Sequence, residues 1–262
     1  MGKVIAIANQ KGGVGKTTMA INLAAALAVL DIKVLIIDAD PQANATSGVG
    51  VRPEQISITT YECLTEGVHP ADGIVATSTP NLYILPSSID LVGAEIELVN
   101  TAEREYKMRQ LIEKIKDQYD YIFIDCLPSL GLITLNALSS ADSVIVPVQC
   151  EFFSLEGFGK LKDTISLVQQ SLNPDLEIEG IVLSMYDQRL RMANMVLEEI
   201  RTIISDRIFE TIIHRNSKIG EAPSLGQPVV VYDVSSKGAI NFLNLAKEFL
   251  TIQETENIFQ NQ

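Results

Sequence analysis

The sequence predicts an α/β fold in which helices cover both faces of a mostly parallel, twisted β-sheet. Two observations lead to this prediction. Short runs of aliphatic, often β-branched residues alternate with longer segments whose apolar residues recur every three or four positions. The short runs are apolar at successive positions, which indicates strands buried on both faces, as in parallel sheets covered by helices.

The elements follow one another along the chain in a regular alternation. The first strand is predicted at residues 4–8, where every residue is apolar. The first helix is predicted at 17–30, because Ala20, Leu23, Leu27 and Leu30 recur at helical spacing. The same criteria predict strands at 34–37, 82–85, 121–124, 143–148 and 178–183, and helices at 103–116, 155–172, 195–204 and 239–250.

The composition is that of a globular protein. Of 262 residues, 47% are hydrophobic and 20% are charged, which excludes a disordered chain. No internal repeat or low-complexity linker interrupts the pattern, so residues 1–250 are predicted to form a single domain. Residues 251–262 are polar and are expected to form a frayed C-terminal tail.

Several features predict a cytoplasmic location. The apolar run near the N-terminus is too short for a secretory signal peptide. No apolar stretch approaches the ~20 residues needed to span a bilayer. Cys63, Cys126 and Cys150 form no CxxC pair, which argues against a zinc or disulfide framework, and each is expected to be buried.

A phosphate-binding loop is predicted between the first strand and the first helix. Glycines let backbone amides approach phosphate oxygens, and the helix N-terminus adds a favourable dipole. In this pattern Lys16 contacts the β- and γ-phosphates and the Thr17 hydroxyl binds Mg²⁺, so the fold is predicted to be that of a P-loop NTPase. The residues of the predicted loop are Gly12, Gly13, Val14, Gly15, Lys16, Thr17 and Thr18.

The loop departs from the G-x-x-x-x-G-K-[ST] pattern at its first position. Gln10 occupies the place of the first glycine, and Lys11 follows it. A second lysine inside a phosphate loop disfavours the fold electrostatically unless it meets phosphates. Lys11 is therefore expected to contact phosphates, either in its own subunit or across a dimer interface.

Two carboxylates are predicted to lie at the phosphate site, because ligands gather at the carboxyl ends of strands in open parallel sheets. Asp125 ends the fourth predicted strand and would hold Mg²⁺ through water, as a Walker B aspartate does. Asp40 follows the second strand. It either orients the attacking water beside the metal or caps the next turn. Asp38 is expected to be structural. The candidate catalytic residues are therefore Lys11, Lys16 and Asp40, and the candidate metal-site residues are Thr17, Asp40 and Asp125.

Together these segments resemble the ParA/MinD group of deviant Walker A ATPases, and most closely the short, Soj-type ParA chromosome partition proteins. The resemblance covers nearly the whole chain and includes several motifs in the order of the family. These motifs are residues 11–18, 38–46, 93–98, 125–131, 215–216, 221–224 and 236–239.

The resemblance implies site residues, cofactors and partners. Lys11 would reach the nucleotide of a partner subunit in an ATP-bound homodimer, and Asp40 would be needed for hydrolysis. His214, Arg215 and Asn216 would lie at the adenine. Family members of this type bind DNA without sequence specificity, and a ParB-type centromere-binding protein stimulates their hydrolysis. The implied cofactors are ATP and Mg²⁺, the implied location is the nucleoid, and the intrinsic rate should be slow because a fast switch stores no state.

Two positions depart from the family pattern. Leu127 stands where the first of two prolines usually follows the Walker B Asp-Cys, which is expected to alter local stiffness. His214 stands where a proline usually precedes Arg-Asn. It either packs structurally or contacts the nucleotide.

The DNA-binding surface is predicted in a chain whose net charge is -13. Residues 186–218 carry six basic and five acidic side chains, a balance that is also typical of a solvated helix face. Arg189 and Lys218 fall where the DNA-contacting basic residues of the family lie. Non-specific binding needs only phosphate contacts, and dimerisation would double the patch, so a weak patch on each subunit is sufficient for the predicted interaction.

Three other functions are found on similar scaffolds. A MinD-like membrane switch would end in a basic amphipathic helix, whereas residues 251–262 contain two acids and no base. An iron–sulfur reductase would need bridging cysteines in a cluster loop. A metabolic kinase or synthetase would need an acceptor-substrate domain, and no segment of sufficient size remains for one. The sequence therefore favours an ATP-dependent, DNA-binding dimerisation switch without membrane association.

Overall fold

A β-sheet of seven strands forms the centre of the protein, in a computed structural model that describes residues 2–151 and 154–260. The strands are β1 Lys3–Ile7, β2 Val34–Ala39, β3 Val75–Ala76, β4 Leu82–Leu85, β5 Tyr121–Cys126, β6 Ser143–Gln149 and β7 Glu177–Ser184. They lie in the order β3-β4-β2-β5-β1-β6-β7, and every neighbouring pair except β3 and β4 is parallel. The predicted mostly parallel sheet is confirmed.

Helices connect the strands. The α-helices of the described residues are α1 Lys16–Ala28, α2 Asn44–Gly48, α3 Thr60–Thr65, α4 Leu91–Glu97, α5 Lys107–Glu113, α6 Leu132–Ser140, α7 Ser154–Ser171, α8 Arg191–Ile203, α9 Ser217–Glu221, α10 Val229–Tyr232 and α11 Lys237–Gln260. Short 3₁₀ turns lie at Pro53–Gln55, Pro70–Asp72, Leu98–Asn100, Arg104–Tyr106, Lys116–Gln118 and Ala222–Leu225. None of the helices in the described ranges is long and apolar enough to cross a bilayer.

Alternate residues of the central strands face opposite layers of helices. In β1, Ile5 and Ile7 belong to a core that includes apolar residues of α1 and α11. Val4 and Ala6 belong to a second core that includes residues of α5, α6 and α7. This alternation follows from the pleat of the strand, and it confirms that helices cover both faces. The three cysteines are buried, as predicted.

The register of the central strands brings three predicted site segments together. Ile7, the last residue of β1, pairs with Asp125 of β5. Asp125 also pairs with Asp38 of β2. The phosphate loop and the two aspartates therefore meet at the carboxyl edge of the sheet.

Each of the six predicted strands is present, with ends that shift by at most two residues. The predicted helix at 103–116 is shorter than expected, because α5 spans only Lys107–Glu113 between two 3₁₀ turns. Glu103 adopts a left-handed conformation with φ of 53°, which interrupts a helix at its predicted start. The short β3 and the helices α2, α3, α4, α6, α9 and α10 were not predicted.

The C-terminal residues form more structure than the sequence indicated. Helix α11 continues through residues 251–260, so the expected fraying is wrong for that range. Gln253 is buried: its amide nitrogen donates to Glu179 Oε1 at 2.6 Å, and its amide oxygen accepts from Lys3 Nζ at 2.7 Å. These contacts dock the end of α11 on the first and last strands of the chain.

Gly226 closes a contact that tolerates no side chain. It has a φ of +63° and follows the 3₁₀ turn Ala222–Leu225, and a Cβ there would lie 2.6 Å from the Cα of Gly50. Gly67 has a similar φ of +73°, but a Cβ there would meet nothing within 4 Å. Both glycines are needed for the left-handed backbone, whereas only Gly226 is also needed for close packing.

Gly226→Ala should therefore lower the free energy of unfolding more than Gly67→Ala. We expect a loss of about 1 kcal/mol for Gly67→Ala from the left-handed backbone alone. Gly226→Ala should lose roughly 1–3 kcal/mol more, because the contact with Gly50 must open. Urea unfolding of both variants measures the difference. Equal losses would show that the Gly50–Gly226 contact does not constrain the fold.

Candidate nucleotide-binding site

The predicted phosphate loop lies between β1 and α1 and surrounds open space. Gly13 and Gly15 have φ values of +75° and +91°, which an L side chain rarely adopts. A Cβ on Gly12 or Gly13 would meet nothing within 4 Å. Gly15 occupies the N-cap of α1 and supplies no side-chain cap, so the first amides of this helix remain available to an anion.

Side chains from other strands hold the loop in place. The amide nitrogen of Gln149 donates to the Gly13 carbonyl at 2.8 Å, and the Ser184 hydroxyl donates to the Val14 carbonyl at 2.9 Å. Asn9 donates to a backbone carbonyl of β6 at 2.8 Å. The sequence motif did not identify these positioning residues. Gln149 and Ser184 occupy two carbonyls of the loop and so help to fix its backbone conformation.

Lys16 is the buried cation of the site. Lys16 is the first residue of α1 and is only 7% exposed. Its ammonium donates to the Lys11 carbonyl at 3.4 Å. Burial lowers the pKa of this ammonium, whereas the carboxyl groups of Asp125 and Asp40 act in the opposite direction. A lysine has three donors, and a single long hydrogen bond leaves donor capacity for phosphate oxygens.

Asp125 is a buried carboxylate with unsatisfied oxygens. It is fully buried, and neither oxygen has a hydrogen-bond partner within the described residues. Burial and the adjacent Asp38 raise its pKa well above the usual value. Thr17 lies near enough to lower that pKa, although its hydroxyl does not reach hydrogen-bond geometry, and Lys16 also lowers it. Such a group is costly without a partner and fits a site that receives a cation.

The donor set fits a magnesium ion shared with phosphates. In the described part of the chain, no cluster of three or more His, Cys, Asp or Glu side chains could hold a metal ion alone. Mg²⁺ is commonly held by one or two protein ligands, with waters and substrate phosphates completing its octahedron. Thr17 and Asp125 are suited to this arrangement.

Asp38 and Asp40 have different surroundings. Asp38 is fully buried and accepts hydrogen bonds from the Thr46 amide at 2.8 Å, the Thr46 hydroxyl at 2.6 Å and the Asp40 amide at 3.2 Å. These bonds give Asp38 a structural role in joining β2 to α2. Asp40 is half-buried, and its Oδ1 accepts from the Gln42 amide at 2.9 Å. The turn-capping contact of Asp40 is present, and its second oxygen is available for another role.

The stability of the protein should depend on pH through Asp38. Burial raises the pKa of this carboxyl from 3.8 to about 6. The folded state therefore binds the proton more tightly than the unfolded state, so this stabilisation is complete below about pH 4 and is lost as the pH rises through 6. We expect the stability difference between wild type and Asp38→Asn to fall by up to roughly 3 kcal/mol from pH 4 to pH 7.

Urea unfolding of wild type and Asp38→Asn at several pH values, without nucleotide or magnesium, measures this difference. Asparagine retains one acceptor oxygen for Thr46 and lacks the titrating proton. A difference that is constant with pH, or that grows as the pH rises, would contradict the assignment.

Lys11 lies at the rim of the loop and faces its own chain. Its ammonium is 3.0 Å from Glu151 Oε2, and both side chains are partly exposed. Its backbone amide donates to Asn9 Oδ1 at 3.0 Å, which helps to fix the start of the loop. The sequence did not identify Glu151 as the partner of Lys11. The predicted contact of Lys11 with a phosphate requires this ion pair to open.

A cavity of about 320 Å³ adjoins the helical end of the loop. The predicted adenine residues His214, Arg215 and Asn216 lie together on its wall. His214 Nδ1 is 3.2 Å from Asn241 Oδ1, and the imidazole packs edge-on against Tyr186. The other lining residues are Gly15, Thr18, Met19, Ser184, Met185, Ile213, Ile219, Gly220, Pro223 and Phe242. The cavity is mostly apolar with a few polar groups, as expected for a site that receives a nucleobase.

The two predicted DNA contacts lie on segments next to this cavity. Arg189 is in the loop between β7 and α8, and Lys218 is in α9. Each is paired with a carboxylate that the sequence did not identify. Asp187 is 2.6 Å from Arg189, and Glu221 is 2.8 Å from Lys218.

Comparison with known proteins supports the assignment of this chain as a nucleotide-binding protein of the family that its sequence resembles. A family model described as an AAA domain matches residues 2–178. The chain is 50% identical over 248 residues to the sporulation initiation inhibitor protein Soj of Bacillus subtilis (strain 168), which covers 95% of this chain and 98% of that protein. It is 48% identical over 250 residues to the chromosome partitioning protein ParA of Myxococcus xanthus (strain DK1622). This alignment covers 95% of this chain and 88% of that protein.

A solved structure with the same fold contains nucleotide. The cobyrinic acid a,c-diamide synthase from Mycobacterium smegmatis with bound ADP and magnesium has 36% sequence identity and a TM-score of 0.86, over 98% of this chain and 97% of that chain. The sequence identity to the Soj and ParA proteins is higher than this, at about half of the aligned residues over most of both chains. The phosphate loop with its additional Lys11, the paired aspartates and these similarities lead to one conclusion: the chain belongs to the ParA/Soj family of chromosome-partitioning ATPases.

Proposed function

We propose that this protein is a magnesium-dependent ATPase with a slow intrinsic rate, which dimerises with ATP, binds DNA non-specifically and dissociates after hydrolysis. The observation that carries the proposal is the unsatisfied, buried carboxylate of Asp125 beside an open glycine loop and a buried lysine. A cation and a polyanionic ligand together would satisfy all three features. Mg·ATP is such a ligand, and the structure with ADP and magnesium described above carries the same fold.

The residues of the loop would hold and orient the phosphates. Backbone amides of the loop and the N-terminus of α1 would bind phosphate oxygens, and Lys16 would donate to the β- and γ-phosphates. Thr17 and Asp125 would hold Mg²⁺, which offsets phosphate charge when it is bound. The free oxygen of Asp40 would accept a hydrogen bond from the attacking water.

Dimerisation would depend on Lys11. In the single chain this side chain is paired with Glu151. An exposed ion pair of this kind contributes little to stability, so a phosphate can replace the carboxylate at small cost. We propose that Lys11 leaves Glu151 and contacts the nucleotide of the partner subunit, which makes the closed dimer dependent on the γ-phosphate.

The family supports the proposed cellular role. Relatives named chromosome partitioning protein support a role in partitioning chromosomes or plasmids. Arg189 and Lys218 would contact DNA phosphates, and a ParB-type protein would stimulate hydrolysis and so release the dimer. The protein would then be cytoplasmic and associated with the nucleoid, with residues 1–250 acting as a single ATPase domain.

DNA co-sedimentation tests this proposal in four states: no nucleotide, ADP, ATP, and ATP with Asp40→Ala. We expect retention on DNA only with ATP, stronger or longer retention for Asp40→Ala, and a steep loss of retention as salt increases. Retention without ATP, or retention that is indifferent to salt, would contradict the DNA switch. Parallel sedimentation with anionic liposomes tests the MinD-like alternative, for which binding to lipid instead of DNA is the expected outcome.

A further inference from the structure

We propose that Asp187 and Glu221 keep the DNA-contacting cations of one subunit in neutral ion pairs, so that firm DNA binding requires two subunits. This inference rests on the proposed DNA binding and adds its regulation. The two acids act on affinity through the cations beside them. Without such pairs, the cations of a single subunit would be fully available to phosphates in every nucleotide state.

The pair of Arg189 and Asp187 is held at three points. Arg189 donates from Nε to Asp187 Oδ1 at 2.9 Å and from Nη2 to Oδ2 at 2.6 Å, and its backbone amide donates to Oδ1 at 3.1 Å. The arginine side chain is 82% exposed, whereas the aspartate side chain is 14% exposed. The arginine holds the pKa of Asp187 below its usual range, so the acid stays ionised. The charge of the exposed Arg189 guanidinium is therefore compensated by the less exposed carboxylate of Asp187.

Lys218 is paired within a single turn of α9. Its ammonium donates to Glu221 Oε2 at 2.8 Å, and the same oxygen accepts from the Tyr232 hydroxyl at 3.1 Å. The Tyr232 ring also lies beneath the ammonium, 5.5 Å from its centroid. Glu221 is thus held in place by a second group and remains next to the lysine.

The remaining charge of this face is small. A cleft of about 160 Å³ is lined by Asp187 and Arg189 together with Arg215 and Lys237. Neither Arg215 nor Lys237 forms an ion pair with another described residue, although the charge of Arg215 also acts on the Asp187 carboxylate. These two cations leave a weak attraction for phosphate on one subunit, while the two predicted contacts are compensated by their acids.

This arrangement makes binding depend on the number of subunits. Two linked weak sites on one DNA gain affinity far beyond either site, because the second contact forms at a high effective concentration. A subunit with stronger cations would bind DNA alone and would not dissociate when the dimer opens. The acids therefore preserve the difference between the ATP-bound and ADP-bound states.

Asp187 has one opposing effect that must be weighed. By fixing the guanidinium it also orients Arg189, which would favour DNA binding. Non-specific binding is dominated by the number of phosphates that are neutralised and depends less on the direction of each contact. The loss of charge compensation should therefore outweigh the loss of orientation when Asp187 is replaced.

The test is fluorescence anisotropy with a short duplex DNA, with ADP or ATP and at several salt concentrations. The variants are Asp187→Asn, Glu221→Gln and the double variant. Glu66→Gln, which removes an exposed acid after α3, is the matched control for net charge. Each single variant should bind roughly 5-fold more tightly at 0.1 M salt, and the slope of log K against log salt should steepen by about 0.9.

The double variant should bind DNA measurably with ADP, so that the ratio of ATP to ADP affinities falls. Thermal unfolding checks that each variant is folded. If wild type binds with ATP and the variants bind equally or more weakly, the inference fails and the proposed function stands. An equal gain in Glu66→Gln would reduce the effect to net charge and also overturn the inference. Absence of DNA binding by wild type and variants in every state overturns both.

Discussion

Lys16→Gln is expected to reduce ATP hydrolysis by at least about 100-fold, the loss typical for removal of one donor that stabilises developing charge, and also to weaken ATP binding. Lys16 is buried at the start of α1, and burial lowers the pKa of its ammonium. Burial carries a desolvation cost that phosphate oxygens would offset. Glutamine keeps a hydrogen-bond donor on a side chain that is one bond shorter and removes the charge, so the variant tests the electrostatic contribution together with the reach of the ammonium.

The same variant should fold normally. The ammonium makes a single long hydrogen bond, so its removal does not disrupt the apo protein. Lys33→Gln is a suitable control, because Lys33 is an exposed lysine just before β2, at the opposite edge of the sheet from the loop, where it lies over the rings of Tyr83 and Tyr119. Isothermal titration calorimetry and a phosphate-release assay measure both effects. Unchanged ATP binding and an unchanged rate of hydrolysis in Lys16→Gln would contradict the assignment of the loop to the active site.

Asp40→Ala is expected to reduce hydrolysis by at least about 100-fold, in the range found for general acid–base groups, while ATP binding changes little. Asp40 is half-buried at the carboxyl edge of the sheet, and one of its oxygens makes no hydrogen bond within the described chain. It therefore can accept a hydrogen bond from water at the site. Single-turnover hydrolysis and equilibrium nucleotide binding separate these two quantities.

Asp40→Asn decides between the catalytic and the turn-capping roles of this residue. Asparagine keeps the Oδ1 acceptor for the Gln42 amide and loses only the carboxylate charge. If Asp40 acts on water, the asparagine variant should be nearly as inactive as the alanine variant. If asparagine restores the rate, the carboxylate serves the turn alone and the catalytic assignment is wrong.

Local patterns predicted the phosphate loop and the strand ends that surround it. The glycine spacing of residues 12–15 indicates where backbone amides can approach a phosphate, and the apolar runs indicate where the strands end. Asp40 and Asp125 were predicted at one edge of the sheet, because parallel strands present their carboxyl ends on the same side, and the parallel register of β2 with β5 agrees with this. The predicted strands were therefore confirmed where neighbouring residues determine the structure, and the phosphate-binding role of the loop stays a prediction.

Contacts between distant residues could not be predicted in this way. Gln149 reaches Gly13 across 136 residues, and Glu151 reaches Lys11 across 140. Neither residue belongs to a motif, and a charged or amide side chain after a strand has many possible partners. Asp187 and Glu221 were counted as charges in a segment, and their pairing with specific cations depends on loop geometry.

The end of α11 shows the same limit. Polar composition after residue 250 suggested fraying, because composition does not reveal a tertiary partner. Arg207 pairs with Glu256 at 2.7 Å, and Gln253 is held by Lys3 and Glu179. These contacts stabilise a helix end that would fray if local propensity alone determined its structure.

The most direct test of the central claim is the molar mass of the protein in solution, measured by light scattering with ADP and with ATP and magnesium. Asp40→Ala is the appropriate background, because it should hold the ATP state long enough to be measured. We expect the mass of one chain with ADP and of two chains with ATP, and the mass of one chain in both states when Lys11→Ala is added. An equal mass with ADP and ATP would contradict nucleotide-controlled dimerisation.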